Sequence, residues 1–163
     1  MPRMCELELG WLSNSEAETV RFGEEFGREF VRAGVVVTVS GPLGAGKTHF
    51  IKGVAKSLGI DEREITSPPF TLANEYEIGQ GGSAGWQAGS TAPCVLYHLD
   101  CYRFAQTADL LALGIEDYLY PRNAATIIEW PERIAELIPK DAIRVEIRPI
   151  SESEREIIVF RGT

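Results

Sequence analysis

A three-layer α/β fold around a central mixed sheet is what this chain of 163 residues predicts, and three observations carry that expectation. Gly34-Val35-Val36-Val37-Thr38-Val39-Ser40 is a continuous β-branched run, the pattern of a parallel strand buried on both faces. Soon after it, Phe50, Ile51, Val54, Ala55 and Leu58 lay an apolar stripe at helical spacing. Two more apolar runs, residues 94–100 and 124–129, each finish on an acid, as buried strands do when they deliver a carboxylate to the edge of a sheet. At 44% hydrophobic, residues 1–163 read as one domain, long enough to bury roughly 70% of its unfolded surface.

The elements follow in order. Residues 5–9 alternate like a short strand, and Ser13-Asn14-Ser15-Glu16 supplies a helix cap with an acidic first turn. The helix after it carries Phe22, Phe26 and Phe30 at four-residue steps, a core face, and Gly34 ends it. Residues 65–76 contain Ser67-Pro68-Pro69-Phe70-Thr71, where two prolines forbid helix and the flanking hydroxyls suit a loop facing a ligand. Gly79 to Thr91 holds five glycines and little that could pack, so residues 79–93 read as a flexible surface insertion with an incidental Trp86. Residues 108–119 suggest one short helix and a turn, and Pro131 opens a further helix in its favoured first turn. Residues 143–147 and 156–160 alternate polar with apolar and form a closing antiparallel hairpin.

Composition narrows the function. Cys5, Cys94 and Cys101 show no metal-ligand spacing with His49 or His98, which points to structural thiols in a reducing compartment, with no disulfide partner and no zinc site. An acidic early N-terminus and the lack of an 18-residue apolar run predict neither signal peptide nor membrane span, hence a cytoplasmic protein. A net charge of −8 opposes direct binding to a nucleic-acid backbone. Service to a nucleic acid would therefore pass through a partner.

Gly41-Pro42-Leu43-Gly44-Ala45-Gly46-Lys47-Thr48 is a complete phosphate-binding loop between the predicted strand and helix. Gly44 and Gly46 let the backbone take left-handed angles and turn its N–H groups inward as an anion nest, so Leu43, Gly44, Ala45 and Gly46 are expected around the phosphates. Lys47 reaches the β/γ-phosphates, Thr48 offers its hydroxyl to Mg²⁺, and the helix start adds its dipole. The expected cofactors are ATP and Mg²⁺, in a P-loop NTPase-like fold.

Phosphoryl transfer also requires a metal clamp and a group that orients the attacking oxygen. Asp100 and Glu129, at the ends of the two acidic-ended strands, are the candidates. Strand alternation places His98, Asp100 and Tyr102 on one face with Arg103 just beyond. His98 and Tyr102 read as core or rim residues rather than catalytic ones, and Trp130 as packing that can wall the site against water.

These segments together, Gly41 to Thr48, Ser67-Pro68-Pro69-Phe70-Thr71-Leu72, His98-Leu99-Asp100-Cys101-Tyr102-Arg103, Gly114-Ile115-Glu116-Asp117-Tyr118 and Glu129-Trp130-Pro131, resemble in order and spacing the TsaE family. The resemblance covers nearly the whole chain apart from the glycine-rich insertion. It implies an ATP hydrolase of bacterial tRNA threonylcarbamoyladenosine biosynthesis that works with TsaB and TsaD and meets tRNA only indirectly. It further implies Lys47 and Thr48 as phosphate and Mg²⁺ ligands, Asp100 as the second-strand carboxylate, Glu129 as a metal or water ligand, and Arg155 as a late nucleotide contact. Ser15 and Thr19 are implied to lie by the adenine.

One motif departs from the family pattern. Where Ser-Pro-Thr is usual, this chain has Ser67-Pro68-Pro69, so the third-position hydroxyl is missing and its role falls to Ser67 or Thr71 or is absent. Two rival readings share the loop. A small P-loop kinase would need a lid bearing arginines, and Arg122 and Arg133 are too scattered to supply one; a non-catalytic nucleotide-binding adaptor could dispense with Asp100 or Glu129.

Overall fold

The chain runs β1 (Glu6–Ser13), α1 (Glu16–Phe30), β2 (Val36–Ser40), α2 (Lys47–Ser57), a 3₁₀ turn (Glu62–Glu64), β3 (Ala73–Glu77), β4 (Val95–Asp100), α3 (Thr107–Ala112), α4 (Glu116–Leu119), β5 (Ala124–Glu129), a 3₁₀ helix (Pro131–Leu137), β6 (Ile143–Pro149) and β7 (Arg155–Arg161). The structure, a computed structural model, describes residues 6–68, 71–79, 91–104 and 106–161. The expectations for Cys5, Pro69 and most of the glycine-rich insertion, Trp86 included, lie outside those residues.

One mixed sheet of order β1-β7-β6-β2-β5-β4-β3 forms the middle layer. Strand β2 pairs in parallel with β5 and β6, and β4 in parallel with β5. The outer pairs β3/β4, β6/β7 and β1/β7 are antiparallel. All six residues of β5 are buried, which is why that segment reads as an unbroken apolar run. Alternation splits the core in two. Val37, Val39, Leu96 and Ile127 face a cluster with Phe26, Phe50, Ile51 and Val54 from α1 and α2, whereas Val36, Leu99 and Ile128 face Leu110, Ile115, Leu119 and Ile134.

Helix α1 begins at Ser15, whose hydroxyl accepts from the Glu18 amide at 3.1 Å. Of the three predicted core phenylalanines, Phe26 and Phe30 are buried, while Phe22 stacks on Trp11 of β1 at 5.3 Å between centroids. Helices α1 and α2 meet backbone to backbone. A Cβ on Gly23 would stand 2.1 Å from the Phe50 carbonyl oxygen, and one on Gly53 would stand 2.0 Å from that of Val20. This contact fixes α2, which carries the phosphate loop at its start.

Three local expectations change. Strand β3 occupies residues read as loop, because a polar, half-exposed Ala-Asn-Glu-Tyr-Glu segment is acceptable at a sheet edge although it carries no apolar alternation. Residues 107–119 form two short helices rather than one, since Gly114 turns left-handed at φ 79° between them. The Pro131 helix is 3₁₀ and kinks at Ile134, where φ is −133°. Among the described residues no helix is long and apolar enough to cross a membrane.

Candidate functional site

The loop leaves the carboxyl end of β2 and enters α2 at Lys47. The Ala45 amide donates to the Pro42 carbonyl at 3.1 Å and closes the turn. Gly46 then takes φ 103° as the helix cap without contributing a side-chain bond, so the first-turn amides of α2 have no side-chain acceptor. The same cavity, about 390 Å³, is lined by Leu43, Gly44, Ala45, Gly46, Lys47, Thr48, Asp100, Glu129 and Arg155. All nine residues expected to act are thus brought together, from one loop, two parallel strand ends and the start of β7.

Lys47 is nearly buried. Its Nζ donates to the carbonyls of Gly41 at 2.6 Å and Pro42 at 2.9 Å, and lies 4.3 Å from the centre of the Trp130 ring. Two of its three donors are used, leaving one to serve the cavity. Burial pushes its pKa below the ordinary lysine value, against the opposing pull of Glu129, Glu132 and Asp100. Trp130, the residue that walls this ammonium, sits left-handed at φ 56° directly after Glu129. That conformation is costly for a bulky side chain and places the indole over Lys47 and within 4.9 Å of the Tyr102 ring.

Asp100 and Glu129 are register partners on neighbouring parallel strands, and Glu129 is also level with Val39 of β2. Both carboxylates consequently project beside the phosphate loop at the carboxyl edge of the sheet. Asp100 Oδ1 accepts from the Tyr102 amide at 2.9 Å, which holds the side chain against the turn after β4. Glu129 is buried, and its Oε2 meets Nε2 of the equally buried His98 at 2.9 Å. Arg155 reaches the loop from the other side, close enough that a Cβ on Gly46 would stand 2.5 Å from its Nη1.

The donor set suits Mg²⁺. Thr48, Asp100 and Glu129 offer hard oxygens to one cavity, and four carboxylates, with Glu16 and Glu152 added, face only two fixed cations, Lys47 and Arg155. A polyphosphate would enter such a lining more readily with a divalent cation. Among the described residues no three His, Cys, Asp or Glu side chains form a metal cage, so the protein would share the ion with phosphate oxygens, as Mg²⁺ sites generally do.

Other residues fall differently from the sequence reading. Thr19 is fully buried and its hydroxyl is engaged with Ser13 and the Ser15 carbonyl, so it is closed to a nucleotide, and Ser15 is spent on capping α1. Their neighbour Glu16 lines the cavity instead and lies 3.5 Å from His49. His49 directly follows Thr48 in the first turn of α2, which was the available signal for it. Ser67 lines the cavity, whereas the Thr71 hydroxyl donates to the Ala73 carbonyl at 3.2 Å. Cys101 is buried with its thiol pushed up to about 12 by desolvation, and Cys94 is exposed. Tyr102 stands past the end of β4 on the cavity rim, not on the strand.

Similarity to known proteins agrees with this geometry. Residues 13–157 match the family model described as threonylcarbamoyl adenosine biosynthesis protein TsaE. The tRNA threonylcarbamoyladenosine biosynthesis protein TsaE of Treponema pallidum is 37% identical over 148 residues, spanning 91% of this chain and 97% of that protein. The Bacillus subtilis protein of the same name is 33% identical over 150 residues, spanning 92% and 84%. The crystal structure of Bacillus subtilis YdiB superposes with a TM-score of 0.73 at 30% identity, covering 99% of this chain and 89% of that one. The chain belongs to the TsaE family.

Proposed function

We propose that this chain is a Mg²⁺-dependent ATP hydrolase in tRNA threonylcarbamoyladenosine biosynthesis, acting in the cytoplasm with TsaB and TsaD and meeting tRNA only through them. The observation that carries the reading is the convergence of Lys47 and Thr48 with a register-paired Asp100 and Glu129 in one cavity. Names of the similar proteins supply the pathway.

In this reading the loop amides and the α2 dipole bind the phosphate chain, Lys47 bridges the β/γ-phosphates, and Arg155 adds a second cation beside Gly46. Thr48, Asp100 and Glu129 would hold Mg²⁺, which when bound neutralises charge developing on the phosphate oxygens. Asp100 and Glu129 divide two tasks between them, holding the metal and orienting water. Trp130 and Tyr102 wall one side. The other side is open, with Leu43 exposed at the rim, so the isolated chain excludes water poorly and hydrolyses slowly until a partner covers the mouth.

The rivals make different products. A kinase passes the phosphoryl group to an acceptor, and an adaptor binds without turnover; the buried, paired Glu129 favours hydrolysis over an adaptor, which has no use for it. Phosphate release measured with and without TsaB and TsaD separates the three. Release of ADP and phosphate, raised by the partners, is the expected result; transfer to an acceptor, or binding alone, overturns the proposal.

A further inference from the structure

We propose that His98 is a positioning residue for Glu129: its imidazole N–H holds one carboxylate oxygen so that the other serves the phosphate cavity. The inference rests on the hydrolase reading above. His98 and Glu129 lie on adjacent parallel strands, with His98 opposite Ile127 and Asp100 opposite Glu129, so they sit two residues apart in register on the same face. The Nε2 to Oε2 separation is 2.9 Å, and both side chains are almost fully buried. Nδ1 of His98 has no hydrogen-bond partner among the described residues. Among the described residues the ring therefore makes a single polar contact, and that contact is to the carboxylate.

Burial of an imidazole with one nitrogen unpaired is unfavourable, and an apolar side chain at this position in β4 would avoid it. What such a replacement would lose is the fixed orientation of Glu129. A buried carboxylate without this donor could swing toward Lys47, whose ammonium it already attracts. Held by His98 at Oε2, it keeps Oε1 available to the cavity it lines. This resembles the outer partners of metal-site residues, which orient the working group without touching substrate.

The test is a double-mutant cycle on phosphate release at saturating Mg²⁺-ATP, with nucleotide affinity measured in parallel by a fluorescent ATP analogue. His98→Leu should lower turnover by about 10-fold or more, the range found for such outer partners, while affinity stays within about twofold. His98→Gln, whose amide N–H can reach Oε2, should restore most of the loss. In a Glu129→Gln background, His98→Leu should bring no further loss of the residual rate. Should His98→Leu prove unfolded in a thermal melt, His98→Asn, too short to reach Oε2, takes its place. A full rate in His98→Leu or its His98→Asn replacement, no recovery in His98→Gln, or a loss that adds in full to that of Glu129→Gln, overturns the positioning role. A Glu129→Gln variant with the parental rate instead overturns the role of Glu129 beneath the inference, and a parent protein that binds ATP without releasing phosphate overturns the hydrolase reading.

Discussion

The guanidinium of Arg155 lies against Gly46, so near that a Cβ on Gly46 would come within 2.5 Å of its Nη1. The last strand of the sheet is thereby joined to the phosphate loop, and Gly46 has two reasons to lack a side chain. Its φ of 103° costs any L-residue about 1–2 kcal/mol, and the arginine occupies the space. Gly46→Ala should therefore weaken ATP binding more than Arg155→Ala does, because it displaces the guanidinium and distorts the loop together. Titration with a fluorescent ATP analogue checks the order; equal affinity of Gly46→Ala and the parent would remove the loop geometry from the site.

Lys47→Ala should weaken ATP binding by about 10- to 100-fold, the value of one charge-assisted contact of roughly 1.5–3 kcal/mol. Arg155 is the other cation lining the cavity, with its guanidinium beside Gly46, while the Lys47 ammonium is fixed by the Gly41 and Pro42 carbonyls. Unchanged affinity in the same titration contradicts the assignment of Lys47 to the phosphates.

Ser67→Ala should lower partner-stimulated ATPase, and Thr71→Ala should leave it near the parental rate. Ser67 lines the cavity, while the Thr71 hydroxyl is committed to the Ala73 carbonyl. Pro69→Thr should preserve or raise the rate, since it adds a hydroxyl at a position where proline has neither a side-chain donor nor an N–H. Steady-state phosphate release on the three variants decides; a full rate in Ser67→Ala assigns the loop a structural or partner-facing role.

Gly53→Ala should destabilise the fold. Overpacking against the Val20 carbonyl costs about 1–3 kcal/mol or more, which outweighs the roughly 1 kcal/mol that alanine gains in a helix. The contact is backbone, at 2.0 Å from the added Cβ, so it cannot be relieved by a rotamer change. A thermal melt should show a lower Tm; an unchanged or raised Tm contradicts the close α1/α2 crossing.

Docking to the partners should weaken with salt. The net charge of −8 favours a basic docking surface, and exposed opposite charges are screened as ionic strength rises. Affinity compared at low and moderate salt provides the check, and salt-independent docking rules out an electrostatic interface.

Most of the site was legible because local chemistry forces it. A phosphate loop needs its glycines, lysine and threonine contiguous, and an acid that ends an apolar strand has only the sheet edge to occupy. What escaped was relational. The His98 contact joins two strands across a parallel pair, and no spacing in the chain announces which histidine faces which carboxylate. Glu16 resembled an ordinary first-turn acid of α1, although α1 itself was predicted; only the α1/α2 crossing brings it to His49. Strand β3 escaped because its polar sequence is ordered by its pairing with β4, a long-range contact that propensity cannot register. Thr19, implied by the resemblance to lie by the adenine, is fully buried, and its hydroxyl is engaged with Ser13 at the entry to α1.

The most direct measurement is Mg²⁺-dependent phosphate release by Asp100→Asn and Glu129→Gln beside the parent, with nucleotide affinity determined on the same samples. Each variant should keep its fold and most of its affinity while losing roughly 10²-fold or more in partner-stimulated turnover, the scale of a lost metal clamp or positioned base. Parental turnover in both variants would contradict hydrolysis at this pair of strand-end carboxylates.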